Sequence, residues 1–225
     1  MCMWQRWPHL LAIALALPRA PVKGSKAKPL PFRDVLSKVY GFGLIQAMGS
    51  AGFGVIATFI TLFYQDKGWD GAAFALTMFS AAFVGTRLLF PNAINKLGGL
   101  RVASICFAVE AVGLFLVAGS FDPWMAKMGA FLTGAGFSLV FPAIGVVAVK
   151  VVPQQNQGSA LATYTAFMDL SLGITGPIAG FIMSYAGVSL VYFLTALLVC
   201  LALFCTLRMI KRMPEDPVVE VKENA

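Results

Sequence analysis

Charge is what this sequence is short of. Ten acidic and seventeen basic residues in 225 leave 12% charged, about half of the roughly 25% usual for a soluble domain. With 59% hydrophobic residues and a mean hydropathy of +0.80, there is too little polar surface to enclose the apolar side chains. A soluble fold is excluded, and lipid becomes the first partner. Histidine is nearly absent: His9 is the sole copy, too few ligands for a zinc site and outside every apolar run. The four cysteines form no CxxC pair, and Cys106, Cys200 and Cys205 lie in apolar runs where a thiol acts as a small hydrophobe. Disulfides, metals and cofactors are therefore not expected. HExxH, GxSxG and phosphate-binding loops are also missing, which argues against an enzyme. The net charge of +7 does not point to nucleic acid, because the cations are not interleaved with stacking aromatics on a polar face.

What is present is oil in long runs. A helix needs about 20 residues to cross the hydrocarbon, and six stretches qualify: 40–64, 72–91, 102–119, 125–149, 158–185 and 189–207. The breaks between them are short, so successive helices are expected to run antiparallel and pack as neighbours. The fold class is all-α, a polytopic membrane domain over residues 40–210. Residues 1–39 precede it as a basic linker behind a short apolar run, Leu10–Leu17, too brief to span. That run reads as the end of a preceding helix, a targeting signal or a disordered tail. Residues 211–225 form a charged tail.

Basic residues set the orientation. Residues 18–39, the second and fourth connections and the residues after the last span together hold thirteen lysines and arginines, against Lys67 and Lys127 on the other side. Positive charge stays inside, so both termini are expected in the cytoplasm. An internal echo is also visible. "AGFGV" (Ala51–Val55) in the first span is matched by "AGFSL" (Ala135–Leu139) in the fourth. Each opens a three-helix unit, and because three is odd, two such units in tandem are inverted relative to each other.

The second connection carries a motif. Pro91, Asn95, Lys96, Gly98 and Arg101 fall at the spacing of the loop signature of the major facilitator superfamily, Gly-x-x-x-Asp-Arg/Lys-x-Gly followed by basic residues. Asn95 stands where the acid is usual and Pro91 where the first glycine is. The stretch "GAGFSLVFPAIGVVAVKVVP" resembles the tenth helix of these transporters. The next span resembles the eleventh, with its Gly173, Gly176, Pro177 and Gly180 core. The chain thus resembles that superfamily over residues 37–210, in wording close to its bacterial efflux-type members. The resemblance implies a twelve-helix protein of which this is the C-terminal six-helix half, with a solute site shared with an N-terminal half and a place in the bacterial inner membrane. It also nominates Gln46, Ser50, Phe141 and Tyr164, beside Arg87 and Asp169, as cavity-lining residues. The glycines of the first span and Pro142 would let those helices approach closely or bend.

Ionisable groups inside a span are functional candidates by default, since a central charge costs about 2.5–3.5 kcal/mol on insertion scales. Lys150, at a span end, can snorkel. Arg87 and Glu110 differ in depth by about 7 Å at 1.5 Å per residue, within reach of one another. Three roles stay open for them: a structural ion pair, a gate, or contact with an anionic solute. Asp169, Gly173, Gly176 and Gly180 share one helix face, and small residues there suggest a closely packed neighbour. The acid then serves either as hydrogen-bonded glue, to Ser50 or Thr165, or in proton coupling. The expected function is a transporter, with proton-coupled efflux of a small organic solute as the finer reading. The alternative is a membrane fragment or interaction module that transports nothing itself.

Overall fold

The computed structural model of the chain describes residues 30–213; the expectations for 1–29 and 214–225 fall outside them. The described residues form helices α1 (Phe32–Asp66), α2 (Ala72–Leu89), the short α3 (Ala93–Leu97), α4 (Gly99–Ala118), α5 (Pro123–Phe137), α6 (Val140–Lys150), α7 (Gln157–Ala186) and α8 (Val188–Arg212), with a 3-10 turn at Gln154–Asn156. Among the described residues six stretches are long and apolar enough to cross a membrane, α5 and α6 together counting as one. The domain is an all-helical membrane fold.

Helix ends follow from local chemistry. Asp122 caps α5 by accepting from the backbone N–H groups of Trp124 and Met125 at 2.8 and 3.1 Å, with Pro123 at the first turn, where its missing N–H has no consequence. The first and last helices run past the expected spans. α1 starts at Phe32 because Val35 and Val39, one turn apart, are fully buried, so this turn has packing to hold it. α8 continues to Arg212, which ends on basic residues that suit a helix C-terminus.

The packing corrects one expectation. Of the successive spans only α4 and α5 pack extensively on each other; the other principal neighbours are not successive in the chain. The second helix of each three-helix unit packs on the first helix of the other: α2 on α5, and α7 on α1. The third packs likewise on the first of the other unit, α4 on α5 and α8 on α1, while α4 and α8 lie against each other. Every pairing has its exchanged counterpart, which is the contact pattern of two inverted repeats. The backbone repeats the relation. Gly98 opens α4 at φ 86°, ψ 150° and Gly187 opens α8 at φ 79°, ψ 163°, a conformation essentially closed to residues with a Cβ. The two sequence echoes also meet, since Phe53 and Phe137 stack with ring centroids 5.2 Å apart.

The core is densest where glycine lets backbones touch. A Cβ on Gly113 would lie 2.5 Å from Thr133 N, joining α4 to α5, and one on Gly134 would strike the Phe79 carbonyl of α2. The α7 glycines behave differently. Cβ atoms built on Gly173, Gly176 and Gly180 meet nothing within 4 Å, and Pro177 is exposed. Within the described residues this face packs against no neighbour, contrary to the expectation from its small residues. The reason is directional: α7 packs on α1 through its other side, by way of Phe167 against Gly43 and Leu172 against Gly54.

Candidate functional site

The chain places its buried polar side chains at helix crossings. On α1, Gln46 and Ser50 are one turn apart and fully buried. The Ser50 hydroxyl donates to the Gln46 carbonyl at 2.9 Å, and Gln46 Nε2 donates to Ser50 Oγ at 3.1 Å. From α7, the hydroxyl of fully buried Tyr164 is shared between Gln46 Oε1 at 2.7 Å and the Phe141 carbonyl of α6 at 3.0 Å. The rings of Phe141 and Tyr164 lie 5.2 Å apart. Four of the residues nominated from sequence thus form one network across three helices. Every hydrogen-bonding group in it that the low-dielectric interior would penalise has a partner.

Arg87 is explained by a proline. The fourth span breaks after Phe137 and resumes at Val140. Pro142 has no N–H, so it cannot donate to the carbonyl four residues back, that of Ser138. Arg87 of α2 fills the gap: its Nη2 donates to the Ser138 carbonyl at 2.8 Å. The contact is reciprocal, because the Ser138 hydroxyl donates back to the Phe83 carbonyl of α2 at 2.5 Å. The guanidinium also lies 5.0 Å from the centre of the Phe83 ring, in cation–π range. Ser138 carried no signal in the sequence beyond its place four residues before a proline.

The Arg87–Glu110 pair does not form. Glu110 is fully buried, and neither carboxyl oxygen has a hydrogen-bond partner among the described residues. Depth along the axis allowed the pair, but α5 lies against both α2 and α4, and Arg87 is turned to Ser138. Glu110 sits instead where both sequence echoes converge. Its Oε1 occupies the place a Cβ on Gly52 would take, and a Cβ on Gly136 would lie 2.5 Å from its backbone nitrogen.

Asp169 is exposed on α7. It bonds neither Ser50 nor Thr165: Ser50 is engaged with Gln46, and Thr165 donates to the Leu161 carbonyl at 2.9 Å. Arg87, beyond its one bond, is likewise on an exposed stretch of α2. Asn95, Lys96 and Arg101 are exposed around the turn that Gly98 makes between α3 and α4. The start of α1 is fastened to the approach to α7. Leu30 N donates to Asn156 Oδ1 at 3.0 Å, and Asn156 Nδ2 donates to the Leu30 carbonyl at 3.1 Å.

Six spans in two inverted units, a broken fourth span and buried polar crossings define a multi-pass membrane protein. Residues 11–225 match the model of the family described as Major Facilitator Superfamily. The chain belongs to that superfamily. It is 69% identical over 206 residues to the MFS-type transporter YhhS of Escherichia coli (strain K12), a match covering 92% of this chain and 51% of that protein. It is 67% identical over 216 residues to YhhS of Escherichia coli O6:H1 (strain CFT073), covering 96% and 52%. YhhS of Salmonella typhimurium (strain LT2) is 68% identical over 205 residues, covering 91% and 51%. The chain spans about half the length of the curated relatives it matches.

Proposed function

We propose that this chain is the C-terminal six-helix half of a secondary transporter that exports a small organic solute in exchange for protons across a bacterial inner membrane, with both termini cytoplasmic. The observation that carries the reading is the pair of charges left on open faces, Arg87 on α2 and Asp169 on α7. An ionisable residue within a span faces protein or a water-filled cavity rather than lipid. Faces bearing such charges suit a second six-helix unit and the solute path between the two. The open glycines of α7 fit the same reading, because they let a facing helix come close. In this reading Asp169 exchanges the proton, Arg87 steadies the broken span and meets anionic groups of the solute, and Gln46, Ser50, Phe141 and Tyr164 shape the wall.

The half-length match favours a second reading, in which the isolated chain transports nothing and acts only as a membrane or interaction module. One comparison separates them. The chain is reconstituted in liposomes alone and, in parallel, together with the N-terminal six-helix half of a YhhS relative. Fluorescent organic anions and lipophilic drugs are then followed under an imposed pH gradient. Gradient-dependent flux with both halves, abolished by Asp169→Asn, supports the transporter reading. Flux from neither preparation supports the module, and saturable flux from the chain alone would point to a homodimer.

A further inference from the structure

We propose that Glu110, rather than serving as a structural ion-pair partner, is a second proton-binding site of this half, one that carries a proton while α1, α4 and α5 are closed together. This rests on the proton-coupled reading above and adds a site to it, behind the wall that carries Asp169.

The first argument is isolation. Glu110 is fully buried and both carboxyl oxygens lack a partner among the described residues. An ionised carboxylate held that way is penalised far beyond what the fold could sustain, whereas the neutral acid is tolerated. Its neighbours offer no counter-charge. α1 meets it with Gly52, and α5 backs it with Gly136. The titratable group in electrostatic contact with it is Cys106, one turn earlier on α4. The remaining titratable groups on the helices packed around it stand apart. Arg33, Asp34, Lys38, Tyr40, Tyr64 and Asp66 lie toward the ends of α1, Arg101 near the start of α4, Lys127 near the start of α5, Lys150 at the end of α6, Lys96 on α3, and Arg208, Lys211 and Arg212 toward the end of α8. On α8, Tyr192 packs its ring on Phe63 and turns its hydroxyl to the Val55 carbonyl. Cys200 and Cys205 of α8 give Glu110 no hydrogen bond.

The second argument is symmetry. Glu110 lies twelve residues after Gly98, the glycine that opens α4, and Val199 lies twelve residues after Gly187, which opens α8. Val199 is also fully buried. The same place in the other repeat is thus filled by a hydrocarbon side chain, and the architecture does not require an acid there. The third argument is position. Eleven residues along α4, at 1.5 Å each, set Glu110 about 16 Å from the Gly99 end, near the middle of a roughly 30 Å hydrocarbon layer. Gly136, against its backbone, is two residues from Ser138, the point where the fourth span breaks and Arg87 attaches.

The step is a simple transfer. When the α1–α4 crossing parts at Gly52, water reaches the carboxyl, Glu110 gives its proton to that water, and the charged form holds the crossing open. On the other side of the cycle hydronium returns a proton to Oε1 or Oε2, and the neutral acid lets Gly52 close over it. No other reactant is needed.

The test is infrared spectroscopy of the purified 225-residue chain in phosphatidylethanolamine–phosphatidylglycerol nanodiscs, titrated from acid to alkaline pH in H2O and D2O. The expected result is a protonated-carboxyl C=O band at neutral pH that shifts on transfer to D2O. It should be lost in Glu110→Gln, displaced in Glu110→Asp and unchanged in Asp169→Asn. A neutral-pH spectrum without that band, or one in which it survives in Glu110→Gln, overturns the proposal. A band that never shifts in D2O also overturns it, because a locked proton cannot be exchanged. Should Glu110→Gln fail to fold, the wild-type D2O shift and the Glu110→Asp displacement still decide. None of these outcomes depends on solute flux, so failure here leaves the transporter reading to its own liposome experiment.

Discussion

Arg87 and Ser138 are joined across two helices by a hydrogen bond of 2.8 Å from the guanidinium to a backbone carbonyl, and the bond exists because Pro142 cannot make it. An arginine inside an apolar span thus has a structural occupation, completing a helix that breaks beside it. The residue as a whole is on the exposed side of α2.

Removing that donor should leave the Ser138 carbonyl unsatisfied. Arg87→Met is expected to destabilise the domain by roughly 1–3 kcal/mol, the usual penalty for an orphaned buried acceptor. Pro142→Ala restores a backbone N–H at the right distance along the helix. In that background the cost of Arg87→Met should shrink by half or more. Thermal unfolding of the four variants in detergent gives the coupling, and additive effects would refute the link between proline and arginine.

Tyr164→Phe keeps the ring and deletes the hydroxyl shared by Gln46 and Phe141. Two buried acceptors lose their donor, so a loss of about 1–3 kcal/mol is expected. Gln46→Leu in the Phe background should recover part of it by removing one of the two acceptors. The same melting measurement decides, and a Tyr164→Phe variant as stable as wild type would show the network to be dispensable.

The glycines of α5 and α7 should respond oppositely. Gly136→Ala forces a methyl group against the α4 backbone and should destabilise by about 1–3 kcal/mol, the range for an overpacked core. Gly176→Ala meets open space in this half and should leave the melting temperature of the isolated chain within error. In a transporter reunited with its other half, Gly176→Ala should lower assembly or flux. Equal effects of the two substitutions on the isolated chain would contradict the packing described here.

Much of this could be read in advance, and the reasons for the failures are physical. Apolar runs fixed the number of spans because lipid leaves the backbone few alternatives to helix. The echo of Ala51–Val55 in Ala135–Leu139 announced the two units, since their shared Gly-Phe pair meets in the structure. What a run of letters does not carry is azimuth. Rise per residue gave Arg87 and Glu110 compatible depths but not the helix between them. The α7 stripe of small residues was correctly placed on one face, but a stripe does not say whether its neighbour belongs to the same six-helix unit. The Gln46–Tyr164 bond joins positions 118 residues apart, and only the family resemblance, not the local pattern, pointed to both.

Orientation gives a further test. Reporter fusions at Gly68, Asn95, Asp122, Asn156 and Ala225 are expected to report periplasm, cytoplasm, periplasm, cytoplasm and cytoplasm, following the thirteen-to-two distribution of basic residues. A periplasmic signal at Asn95 or Ala225 would reverse the assignment.

The paired bonds between Leu30 and Asn156 have a mechanical meaning. A single hydrogen bond lets two segments pivot, while two running in opposite directions fix spacing and rotation together. The start of α1 and the approach to α7 are therefore one strut. A movement of Leu30 does not act on α1 alone. A displacement at Leu30 is delivered to α7, and with it to Asp169, so that end of α1 is coupled to the helix that bears the exposed acid.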